Sequence, residues 1–170
     1  MNATMDDNAS VDRRVESQRP ARIAESGPTR AFRSDPTAHR EGLALLRKLH
    51  GAHSGEQLIA SLRDICPDFA DMTIEWAIQG VMSRPGLDLV TRELLLIAAC
   101  TTLGFATPQL RAHIEAAASV GATRQQIIET ILQMTFYAGG AATSNALRIA
   151  AEVFMLCEGR EVAFGAGECQ

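Results

Sequence analysis

Residues 89–103 read LVTRELLLIAACTTL, and residues 107–119 read TPQLRAHIEAAAS. After Glu93 the first stretch is apolar nearly all round, with Leu94, Leu95, Leu96, Ile97, Ala98, Ala99 and Cys100 following one another. A helix without a polar face belongs at the centre of a molecule, packed on several sides. Asp88 stands before it as a cap, and Arg84-Pro85-Gly86-Leu87 forms a tight connection into it. Proline at 85 disfavours a helical Arg84, so the preceding helix must stop there. That third helix opens at Pro67 and contains Phe69, Met72, Ile74, Trp76 and Ile78.

The same punctuation continues outward. Thr107-Pro108 supplies a cap and a first-turn proline for a fifth helix that ends at Gly121. Thr123 with Gln126 caps a sixth, which places Ile127, Ile131, Met134 and Thr135 on one face. A last helix is expected over residues 141–157. Upstream, Leu43, Leu45, Leu46 and Leu49 mark a first helix that stops near His50 and Gly51. Ser54 with Gln57 reads as a capping box for a second, running to about residue 65. About seven helices and no convincing strand make this an all-α helical bundle.

Composition agrees. Of the 170 residues 46% are hydrophobic but only 5% aromatic, a core of Ala, Leu, Ile and Val that suits helices better than sheets. Residues 1–37 read as a flexible tail: six acids and six arginines interleave between Asp6 and Asp35, and Pro20, Pro28 and Pro36 interrupt any helix. The domain then spans 38–158, with a C-terminal tail at 159–170. A net charge of −4 gives no electrostatic reason to expect nucleic acid. No apolar run reaches the length of a membrane span and no signal-peptide core precedes residue 30, so a cytoplasmic chain is expected. Cys66, Cys100, Cys157 and Cys169 are scattered, without a C-x-x-C pair. Cys66 and Cys100 are expected to be buried thiols.

Few residues in the densest helical region can do chemistry. His113 sits on a helix lined with alanine. It is either a core histidine bonded to a neighbouring group or an imidazole with room for a ligand, suited to proton transfer. Glu93 is the one acid between Arg92 and Arg111; if it faces the interior it must be paired, and His113 or an arginine is the obvious partner. Arg84, Arg92 and Arg111 are candidates for holding a carboxylate, because guanidinium matches its geometry in two bonds. His50 and His53 are three apart, but Gly51 interrupts their helix and no further ligand completes a site, so no metal is expected.

These motifs together carry a resemblance. Ser83-Arg84-Pro85-Gly86-Leu87-Asp88, Thr91-Arg92-Glu93-Leu94 and Leu110-Arg111-Ala112-His113-Ile114 with Ala116-Ala117 resemble the carboxymuconolactone decarboxylase family. Gly121-Ala122-Thr123, Ile127, Gln133, Tyr137, Gly139, Asn145 and Ala151-Glu152-Val153-Phe154 continue the match, which covers about residues 42–156. The resemblance implies an alkyl hydroperoxidase D-like helical fold, a homo-oligomer (trimer or hexamer) and catalysis without a cofactor. It also implies decarboxylation of a small carboxylated lactone or β-keto-acid-type substrate. The family's histidine falls on His113 and its helix-opening glutamate on Glu93, and Arg111, Arg84, Trp76 and Tyr137 are the expected substrate contacts.

Two departures shape that expectation. Gln79-Gly80 stands where the aromatic-degradation enzymes usually carry Gly-Glu, so an acidic site residue is missing. Ala106-Thr107-Pro108-Gln109 stands where the peroxidase branch carries its C-x-x-C pair, which excludes thiol peroxidase chemistry. The same acid–base tools would also serve a cofactor-free isomerase or cyclase, and the scaffold could equally be a non-catalytic oligomeric binder of a small molecule.

Overall fold

The computed structural model describes residues 31–164, with side chains to residue 157. Seven α-helices occur there and no strand: α1 Pro36–His50, α2 Ser54–Leu62, α3 Pro67–Met72, α4 Leu89–Leu103, α5 Thr107–Ser119, α6 Arg124–Gln133 and α7 Thr135–Phe164. α3 continues directly into a ten-residue π-helical stretch, Thr73–Met82.

The apolar α4 is central, as its composition requires: it packs against α5, α6 and α7. Ile97, Leu110, Ile114, Ile127, Ile131 and Val153 close the main core around it. Fully burying one such aliphatic side chain contributes about 1.5–3 kcal/mol. A second, smaller core of Leu49, Met82 and Ala116 joins α1 and the π stretch to α5. Here α1 lies so close that a Cβ on Gly42 would stand 2.2 Å from the Ile74 carbonyl oxygen. Only glycine permits that approach.

Helix boundaries follow local chemistry. Asp88 caps α4 by accepting from the Thr91 N–H at 2.8 Å. Thr123 and Gln126 form a full capping box at α6. Gly139 breaks the last helix with φ +78°, a backbone state that side chains disfavour. Regular helix therefore runs from residue 140, close to the expected start.

Several expectations change. Ser54 does not cap α2: its hydroxyl donates to the Gly51 carbonyl at 2.9 Å, so it fastens the end of α1, and His53 takes the cap position with no side-chain bond. Thr107 lies inside the first turn of α5, and Ala106 precedes it as an uncapped start. Cys66 is exposed rather than buried, because it occupies the extended joint before α3. The third helix, expected as ordinary α throughout, is α only over Pro67–Met72, where Phe69 and Met72 are exposed; in the π stretch that follows, Ile74 is buried and Trp76 exposed.

Residues 1–30 of the expected tail lie outside the described residues, as do 165–170 of the C-terminal one. Residues 31–35 are held down: the Ala31 and Phe32 N–H groups donate to Asp68 Oδ2, and Ser34 Oγ and the Asp35 N–H donate to Glu75. Asp35 then caps α1.

Candidate active site

α4 and α5 are joined by the three residues 104–106, so they return antiparallel and face each other along their length. That packing brings Glu93 of α4 against His113 of α5. Glu93 Oε2 lies 2.8 Å from His113 Nδ1. The glutamate side chain is fully buried, whereas the histidine keeps 22% of its exposure. One end of the pair is thus sealed and the other reaches the surface.

Glu93 is only half satisfied. Its second oxygen, Oε1, is buried without a hydrogen-bond partner among the described residues. Such an orphan costs about 1–3 kcal/mol, and more on a charged group, so it is retained against stability. His50, at the last position of α1, completes the arrangement. One donor atom from each of His50, Glu93 and His113 lies within 4.8 Å of the other two. The two imidazoles meet edge-on, with ring centroids 5.8 Å apart. Burial is the largest influence on the His50 ring and lowers its pKa below the usual range. Glu93 opposes that shift, His113 adds to it, and a hydrogen bond with the Ala112 backbone opposes it.

The charge of Glu93 extends further along α4. Cys100 lies two turns on, and its thiol is pushed up, first by burial and then by Glu93. Beyond it, between α4, α5 and α7, a cavity of about 240 Å³ is lined by Cys100, Thr101, Leu110, Asn145, Arg148 and Glu152 among others. Neither Glu93 nor His113 lines this cavity.

The pairing of Glu93 with His113 was foreseeable from one buried-helix acid and one buried-helix histidine. The other expected contacts do not gather around it. Arg111 forms an ion pair with Glu152. Arg92 is used as a staple, donating to the carbonyls of Leu87 and Arg84 at 3.1 and 2.7 Å, which fixes the turn before α4. Arg84 is exposed beside that turn. Trp76 and Tyr137 are also exposed, at 72% and 91%. His50 is the residue that sequence reasoning missed. Its sequence neighbourhood offers only His53 as a companion, and nothing local shows that α1 ends against α5; the packing of α1 on α5 brings it there.

Comparison with known proteins agrees with this frame. The carboxymuconolactone decarboxylase family profile matches residues 67–152. A 4-carboxymuconolactone decarboxylase of Acinetobacter baylyi is 33% identical over 121 residues, covering 71% of this chain and 90% of that protein. An uncharacterized 15.0 kDa protein of Paracoccus denitrificans, from the nqo9-nqo10 intergenic region, is 44% identical over 86 residues, covering 50% and 63%. With the profile and a relative of nearly matching extent in agreement, this chain belongs to the carboxymuconolactone decarboxylase family.

Proposed function

We propose that the protein is a cofactor-independent, decarboxylase-like lyase acting on a small carboxylated lactone or β-keto-acid-type substrate. The observation that carries this reading is the buried Glu93 bonded to a His113 that still reaches the surface. Loss of CO₂ from a carboxylate placed β, or vinylogously, to a carbonyl leaves the bonding electron pair as an enolate. A proton must then be delivered to carbon. In the imidazolium form His113 carries a proton on each nitrogen. Glu93 holds Nδ1–H, so Nε2–H is the one available for delivery. Glu93 also fixes the ring orientation and is the counter-charge for the cation.

The substrate's carboxylate is assigned to Arg84 or Arg111, the latter after exchanging its Glu152 partner. Gly80 supplies no acid where lactone decarboxylases of the aromatic-degradation route usually carry one, which favours a substrate differing from theirs near the π stretch. The protein acts as a cytoplasmic homo-oligomer in this reading. Among the described residues, the aromatic side chains of Phe69, Trp76, Phe105, Phe136 and Tyr137 are exposed on the single chain. Leu95 and Leu103 of the central helix are exposed as well, more apolar surface than a monomer ordinarily leaves in water. A second subunit covering Trp76 and Tyr137 would turn them from solvent toward a shared site.

The test is CO₂ release from 4-carboxymuconolactone and from β-keto acids. His113→Gln is expected to lower turnover by roughly 10²–10⁴-fold, the usual worth of a positioned acid, with melting temperature and oligomer unchanged. A variant that melts lower yet turns over at the full rate per folded molecule makes His113 a core residue and removes the reading.

A further inference from the structure

We propose that His50, Glu93 and His113 form a binding site for a first-row divalent metal ion of the zinc class. The ion would occupy the same groups that the proposed proton transfer uses. Two imidazoles and one carboxylate are a donor set for zinc, cobalt or nickel rather than for magnesium or calcium, which prefer oxygen. The three donors come from three helices, α1, α4 and α5, and converge within 4.8 Å. Around a tetrahedral zinc, donors at about 2.0–2.2 Å from the metal stand about 3.3 Å apart. With all three donors within 4.8 Å of one another, no pair has to close by more than about 1.5 Å, shared between two side chains.

The second observation is the unpartnered Glu93 Oε1, fully buried in this cluster. A carboxylate oxygen in the interior without a donor is a place for a cation or a proton. His113 remains partly exposed, which gives an ion a way in. A structural histidine cluster would have its acid fully satisfied; this one leaves one carboxylate oxygen of Glu93 without a donor. Metal and substrate proton transfer exclude each other here, because the ion takes the His113–Glu93 contact. Zinc is therefore an inhibitor of the proposed reaction and not its cofactor. This part of the inference rests on the proton-transfer reading.

The probe is zinc chloride alone, titrated into metal-stripped full-length protein and followed by calorimetry. One zinc per chain is expected, with magnesium chloride giving no heat of binding. His50→Gln and Glu93→Gln should each weaken binding by about 10-fold or more. His53→Gln, at an exposed position, should leave it unchanged. Wild-type protein loaded with cobalt gives a second readout that needs no variant: visible bands of low-symmetry nitrogen and oxygen coordination. Histidine ring-nitrogen NMR shifts of His50 and His113 on zinc addition give a third. No binding, or binding indifferent to both His50→Gln and Glu93→Gln, overturns the site. The two readings fail separately. Metal-stripped protein that turns over but binds no zinc loses only this inference, and protein that binds zinc with His113→Gln turnover intact loses only the proton-transfer reading.

Discussion

Two glutamates are buried among the described residues, and they are buried differently. Glu75, on the π stretch, accepts from Ser34 Oγ through one oxygen and from the Asp35 N–H at 2.8 Å through the other. His39 Nδ1 stands 3.4 Å away, at ion-pair range. Both oxygens are used, and these partners come from residues 34–39, the lead-in and first turn of α1. Glu93, on α4, meets one histidine through one oxygen and leaves the other without a hydrogen-bond partner. Glu75 is a fastening. Glu93 has capacity left over, in a position where stability alone would have favoured an apolar residue. Burial of an acid does not mark a site; burial with unfinished bonding does.

The sharpest way to break this contrast is a pair of conservative substitutions that keep shape and remove charge. Glu93→Gln is expected to cost turnover about 10-fold or more, though less than the loss for His113→Gln, while the melting temperature holds. Glu75→Gln should do the reverse. Loss of a charge-assisted bond costs about 1.5–3 kcal/mol, so the chain melts earlier while each folded molecule turns over at the wild-type rate. Calorimetric melting beside steady-state kinetics on the same preparations checks both. If both variants lose stability and neither loses rate, the two acids are equivalent and Glu93 is structural.

Thr123→Ala supplies a yardstick away from either acid. Removing the hydroxyl of the capping box at α6 should cost about 1 kcal/mol, with no change in turnover per folded molecule. A rate change in that variant would mean that α6 stability itself limits catalysis, and the separation drawn from Glu75 would weaken.

What could be read from the chain follows the range of the interactions. Asp88, Thr123 and Gly51 act within a turn of their own position, so the ends of α4, α6 and α1 were legible. Ser54 and Thr107 carry cap chemistry too, but Ser54 bonds back into α1 and Thr107 sits inside its helix. Residue type alone does not separate those outcomes. Glu93 and His113 were legible because α4 and α5 adjoin in sequence and offered each other few alternatives. His50 was not, since its place depends on a packing between α1 and α5 across some sixty residues of chain. The π stretch had no signal either: apolar spacing from Phe69 to Ile78 does not distinguish i→i+5 from i→i+4 bonding.

The smallest expected effect asks whether Glu93 carries its charge at all. Cys100 lies two turns along α4, and its thiol is raised first by burial and second by the negative charge of Glu93. Burial disfavours a thiolate whatever stands at position 93, so the larger part of the shift should survive substitution. In a chain with Cys66, Cys157 and Cys169 replaced by serine, ultraviolet thiolate absorbance reports Cys100 alone. Glu93→Gln should move its titration midpoint to lower pH without bringing it to that of an exposed thiol. An unmoved midpoint would mean that Glu93 is protonated in the folded chain. It would then donate to His113 rather than accept, no anion would stand behind an imidazolium, and the difference between Glu93 and Glu75 would be one of bonding without a charge for catalysis to use.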